Sequence, residues 1–137
     1  MATKKQDAAE IARQDVLMGV ALGMSYLNTH VQATFNSLQQ QVFEAMQANG
    51  FWEGTQDNTP AKIALIHSEL SEALEADRKG VEADDKIPEF TGLEAELADT
   101  VIRILDLAGR HELRLGEAIV AKMIFNLSRE RKHGKAY

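Results

Sequence analysis

The sequence predicts an all-α fold, a bundle of four or five helices. Three observations point there. No segment of convincing length alternates apolar and polar residues as a half-buried strand does. Apolar residues instead recur at steps of three and four through several long stretches. Only 2 Pro and 9 Gly punctuate the 137 residues, and several of these stand where a helix would begin or end.

The first stretch runs from about Gln6 to Leu27, with Ile11, Val20, Met24 and Leu27 at helical spacing. Asn28 and Thr29 are capping residue types, and a second stripe follows through Val31, Phe35, Leu38, Val42 and Met46. Pattern alone leaves open whether this is one long helix or two. Gly50 reads as a left-handed stop, and the loop after it carries the only tryptophan, Trp52. Thr59 and Pro60 mark a new start, with Ile63, Ile66, Leu70 and Leu74 as the apolar stripe and Gly80 as the end. After a polar connection, Thr91 and Glu94 have capping-box spacing and open a helix to about Ala108, with Gly109 after it. The last helix is predicted from Gly116 to Lys132, ended by Gly134.

The length suits one domain with its own core. A net charge of −6 argues against a general nucleic-acid binder, which needs a basic face. The lack of cysteine excludes disulfides, thiolate metal sites and cysteine nucleophiles. The most apolar early run, Val16 to Met24, is far shorter than the roughly 20 residues a membrane span needs. Asp7, Glu10, Arg13 and Asp15 precede it, which argues against a secretory signal. The expectation is a soluble, cytoplasmic protein with no membrane and no nucleic-acid partner.

Polar residues on apolar helices carry the functional signal. On the helix from Thr91, the residues Leu93, Leu97, Val101, Ile102, Ile104, Leu105, Leu107 and Ala108 cover more than half the circumference. The remaining strip holds Glu96, Asp99, Arg103 and Asp106. The helix before it carries Glu69 and Glu72 one turn apart, beside Leu65, Ala73 and Ala76. The small alanines leave room for another helix or for ions. If the two helices pack antiparallel, four carboxylates converge and repel one another unless a cation lies between them. Oxygen donors without His or Cys favour Mg²⁺ or Mn²⁺. The plainer reading makes the acids a solvated face, with Asp99 and Arg103 as an i, i+4 salt bridge. The last helix aligns Lys122, Asn126, Arg129 and His133 in one stripe. Lys122, among apolar neighbours, needs an anion: either carboxylates across the bundle or phosphate.

The runs Ala64–Ala76 and Glu94–Asp106 resemble the MazG-like, all-α nucleoside triphosphate pyrophosphohydrolases, whose signature is Glu-x-x-Glu, a variable spacer, then Glu-x-x-Asp. Glu69, Glu72, Glu96 and Asp99 meet it; the Gly50-Phe-Trp52 turn and the Lys122–Asn126 ending with Arg129, His133 and Lys135 add to the likeness. The likeness covers residues 35–137 and leaves residues 1–34 as an N-terminal helical extension. It implies Mg²⁺-dependent hydrolysis of a nucleoside triphosphate to the monophosphate and pyrophosphate, with nucleotide house-cleaning as a role. The four acids would hold Mg²⁺ (or Mn²⁺) and help a water attack the α-phosphorus. Lys122, Asn126 and Arg129 would bind phosphate or sugar oxygens, and Lys135 would close over them. Trp52 would stack on the base or pack in the core, and His133 would touch phosphate or cap its helix. The resemblance also implies a homodimer or homotetramer.

Where some members carry an extra acid before the first motif glutamate, this chain has His67-Ser68. A ferritin-like di-metal protein would need Glu-x-x-His on two helices, and only Glu130 to His133 has that spacing. The other competing expectation is a catalytically silent oligomerisation module, its acids paired with Lys122 and Arg103.

Overall fold

The structure, a computed structural model, describes residues 2–54, 58–127 and 129. It is all-helical, with four helices and no strand among the described residues. They are α1 (Ala2–Ala48), α2 (Thr59–Lys79), α3 (Gly92–Arg110) and α4 (Leu115–Leu127). None is long and apolar enough to cross a membrane. The chain divides into two compact units, Met1–Asn36 with Arg114–Tyr137, and Ser37–Leu113.

The open question about the first two stretches resolves as one helix, α1. Asn28 does not cap a break. Its side-chain oxygen accepts from Gln32 Nε2 at 2.7 Å, one turn on, so its polar group is satisfied inside the helix. Gly50, with φ at 79°, takes the left-handed conformation that the sequence predicts after this helix.

The N-cap of α2 is Asn58, which accepts from the Ala61 amide, rather than Thr59. Pro60 stands in the first turn, where its missing N–H costs nothing. Gly80 closes the helix in the left-handed region, as expected. At the start of α3 the full capping box is present: the Glu94 amide bonds to Thr91 Oγ1, and Glu94 Oε2 accepts from the Thr91 amide at 2.8 Å.

The end of α3 departs from the expectation. Gly109 lies inside the helix and is not its stop. A methyl group there would meet Phe43 Cβ at 2.5 Å, so this glycine lets α3 approach the last turns of α1 closely. The turn after His111 is made by Glu112, at φ 51°. Gln39 of α1 is buried and donates to the Leu113 carbonyl at 2.9 Å, closing this corner. The predicted last helix is described from Leu115 to Leu127, and its expected end at Gly134 lies outside the described residues.

In the unit Ser37–Leu113, α2 packs on α3 through small and polar residues. Ala73 and Glu69 are buried on α2; Gly92, Ala95, Thr100, Leu105, Asp106, Ala108 and Gly109 are buried on α3. Ile63, Leu70 and Leu74, the stripe that the sequence pattern assigns to the core, stay 44–49% exposed. Leu97, Val101 and Ile104 of α3, at steps of four and three, are exposed too. The seam therefore runs along the alanine-and-glutamate side of α2, where short side chains allow close approach. In the other unit, Gly116 of α4 packs on Gln32, Phe35 and Asn36 of α1, and Val120 is buried.

Candidate functional site

The seam between α2 and α3 brings three of the four predicted acids together. Glu69, Glu72 and Glu96 each offer a carboxylate oxygen, all within 4.8 Å of one another. Glu69 is buried, Glu96 half-buried and Glu72 exposed, so the cluster opens toward solvent on one side. Its position follows from the packing just described. Glu69 and Ala73 are one turn apart on the buried face of α2, and Ala95 puts Glu96 beside the same seam on α3.

The electrostatics are those of crowded anions. Burial pushes the Glu96 carboxyl above its ordinary range, and the nearby charges of Glu72, Glu69 and Asp99 push it further. Two local devices hold the other acids. The Ser68 hydroxyl donates to Glu72 Oε1 at 3.3 Å, one turn along α2. Arg103 donates from both Nε and Nη2 to Glu69 Oε1, each at 2.6 Å. The i, i+4 alternative that pairs this arginine with Asp99 is not the arrangement found; it reaches across to α2 instead.

Three carboxylate oxygens within 4.8 Å, one of them buried, form a donor set suited to a hard divalent cation. Such an ion prefers oxygen ligands at about 2.0–2.6 Å. By the chemistry of its donors the trio could hold a metal ion.

Asp99 is not part of the trio. It lines an adjoining cleft of about 170 Å³ with Met46, Phe51, Lys62, Leu65, Ile102, Arg103 and Asp106. The strip Glu96, Asp99, Arg103, Asp106 that the sequence singles out thus runs from the acidic cluster along the wall of this cleft. The cleft is smaller than the roughly 300 Å³ of pockets that enclose a drug-sized ligand.

Trp52 sits at the back of this region as a packed residue. It is buried, and its indole N–H donates to Asp106 Oδ1 at 2.8 Å. Phe43 meets it edge-on with ring centroids 6.5 Å apart, and Lys62 Nζ lies 4.0 Å from its ring centre. In this arrangement Lys62 covers one face of the ring. Nearby, Thr59 Oγ1 and His111 Nε2 are hydrogen-bonded at 3.0 Å, tying the start of α2 to the end of α3.

The predicted basic stripe lies in the other unit. Lys122 and Asn126 are exposed on α4, and Arg129 is exposed just beyond it. Lys122 Nζ and Arg129 Cζ lie 5.2 and 5.9 Å from the ring centre of Phe125. His133 and Lys135 fall outside the described residues. Sequence reasoning missed Lys62 and gave Arg103 and Asp106 no role in a site. The available signal was the place of Arg103 and Asp106 on one helical strip with Glu96, and a lysine two turns before Glu69. Comparison with known protein families, curated proteins and solved structures finds no match to this chain.

Proposed function

We propose that this chain is a Mg²⁺-dependent nucleoside triphosphate pyrophosphohydrolase of the MazG-like kind. The observation that carries the reading is the convergence of Glu69, Glu72 and Glu96 within 4.8 Å, from two helices whose sequence predicts that meeting. Burying like charges together is costly for folding alone, and raised proton affinity at Glu96 is the sign of that cost. A site that binds a cation has a use for it.

The bound Mg²⁺ supplies charge neutralisation and Lewis acidity for phosphoryl transfer. The protein's own groups do the rest. Glu69, Glu72 and Glu96 hold the ion, with Asp99 as the further motif acid at the mouth of the cleft. Ser68 donates a hydrogen bond to Glu72. The cleft beside Asp99 receives one portion of the nucleotide against Leu65, Ile102 and Phe51. By the resemblance, Lys122, Asn126, Arg129, His133 and Lys135 are candidates for phosphate or sugar oxygens; they belong to the other compact unit, Met1–Asn36 with Arg114–Tyr137. Water enters and adds to the α-phosphorus, the bond to the bridging oxygen breaks, and pyrophosphate leaves with the nucleoside monophosphate as the second product. House-cleaning of unwanted nucleotides is the role such an activity serves.

Self-association belongs to the same proposal, as a homodimer or homotetramer. Ile63, Leu70, Leu74, Leu97, Val101 and Ile104 are each 37–49% exposed, more apolar surface than a monomer comfortably leaves to water.

A second reading has one observation in its favour. The Arg103–Glu69 ion pair neutralises one acid internally, as a catalytically silent module with this fold would do. One experiment separates the two. Canonical and modified nucleoside triphosphates are incubated with Mg²⁺ and the products resolved as monophosphate, pyrophosphate or orthophosphate. Release of pyrophosphate that is lost in folded Glu72→Ala and Asp99→Ala variants supports the enzyme. Inactivity on the whole panel, with no heat of Mg²⁺ or Mn²⁺ binding by calorimetry, leaves the silent module.

A further inference from the structure

We propose that Arg103 is the resident counter-cation of the acidic cluster: a divalent ion displaces it from Glu69, and the released guanidinium turns into the cleft to meet the anionic substrate. This rests on the metal-binding reading above and adds a residue that the motif does not include.

The geometry has three parts. First, the Glu69 side chain is 7% exposed while that of Arg103 is 41% exposed, so a buried carboxylate is covered by a group that reaches solvent. Second, both guanidinium donors converge on one oxygen, Oε1. The strong fork-to-fork pairing of arginine with a carboxylate uses two oxygens, so this bond is short without being the most secure form. Third, Arg103 already lines the cleft, so leaving Glu69 requires a change of side-chain torsions and no movement of α3.

Charge explains the exchange. One guanidinium offsets one of three crowded carboxylates, whereas a divalent ion offsets two and coordinates all three. The freed cation then stands on a wall that also carries Lys62, Asp99 and Asp106. Asp106 is bonded to Trp52, and Lys62 lies over the Trp52 ring. Arg103 is thus the cation best placed in the cleft to receive a phosphate oxygen. Empty protein holds the metal site closed to adventitious ions, and metal and substrate assist each other's binding.

The test uses the full chain, ¹⁵N-labelled, with arginine side-chain spectra recorded during titration with Mg²⁺, which is diamagnetic. The Arg103 Nε–H signal, assigned by its loss in Arg103→Lys, should stand apart from free arginine before Mg²⁺ and move to the free position as Mg²⁺ binds. Adding inorganic pyrophosphate to the Mg²⁺-loaded protein should move it again. In parallel, Arg103→Gln should bind Mg²⁺ about tenfold more tightly by calorimetry, with Arg103→Lys close to the parent protein. Should Arg103→Gln fail to fold, the spectra of the parent chain still decide. Backbone shifts at Glu69, Glu72 and Glu96 with an unmoved Arg103 signal overturn the exchange and leave the metal site standing. An Arg103 signal indifferent to pyrophosphate overturns its role toward substrate. No shift anywhere with Mg²⁺ overturns the metal site and this inference together.

Discussion

Replacing Glu96 with glutamine should stabilise the metal-free protein while removing its response to Mg²⁺. The magnitude follows from the site. Two unit charges 4.8 Å apart repel by about 0.9 kcal/mol at the permittivity of water and about 3.5 kcal/mol at an effective value of 20. Of the acids that bear on Glu96, Glu69 is offset by Arg103 at 2.6 Å, and Asp99 lies outside the 4.8 Å group. The remaining one, Glu72, is exposed, so its repulsion lies near the water limit. Glu96→Gln should therefore gain about 1 kcal/mol at neutral pH, a rise in Tm of about 3 °C for a chain of this length. The pH dependence has a definite sign. Burial and neighbouring carboxylates raise the folded-state proton affinity of Glu96, so the native state binds more protons than the unfolded chain across that window. Stability of the parent protein then falls as pH climbs through the window, and the advantage of the variant shrinks as pH is lowered. Thermal unfolding followed by circular dichroism from about pH 4 to pH 8, with and without Mg²⁺, reads all of this. A variant that is less stable than the parent at neutral pH refutes the reasoning, and so does an advantage that is the same at every pH.

Two further predictions concern the surroundings of the site. Trp52→Phe removes the donor to buried Asp106, and a hydrogen bond to a charged group is worth about 1.5–3 kcal/mol; in urea unfolding, a double-mutant cycle with Asp106→Asn should show coupling of that order, and coupling near zero would mean that the indole does not hold α3. Val101→Glu puts a charge in the middle of the exposed α3 stripe; light scattering should find a lower molar mass than for the parent protein, and an unchanged mass would show that this stripe is not where copies meet.

Much of the acidic cluster is legible from residue spacing. Glu69 and Glu72 sit at i, i+3 beside Ala73 and Ala76, and the small neighbours foretell the close helix approach that buries Glu69. The capping box at Thr91 and the left-handed Gly80 are legible for the same reason: each is a local device whose partners lie within a few residues. What is not legible depends on partners elsewhere in the chain. Hydropathy assigns Ile63, Leu70 and Leu74 to a core, yet it cannot say whether that core lies within one chain. Spacing along α3 offers Asp99 as the partner of Arg103, and only the placement of α2 against it makes that partner Glu69. Gly109 has the composition of a helix stop, and only the presence of Phe43 against it turns the glycine into a close-approach position. Asn28, likewise, reads as a boundary because its bond to Gln32 is invisible to pattern.

The joint between α2 and α3 has a consequence for how much this chain can vary. The Val81 amide donates to the Ala76 carbonyl and the Val81 carbonyl accepts from the Gly92 amide, each at 3.1 Å, and a methyl group at Gly92 would meet Val81 Cγ1 at 2.9 Å. That clasp shuts the helical hairpin before residues 82–90 are reached. Everything past it hangs outside the hinge pin, braced by Asp84, which takes the Lys86 and Ile87 amides. Segments of other lengths could be spliced in there without sliding Glu69 along Glu96, so the chemistry of the seam is insulated from the history of the loop.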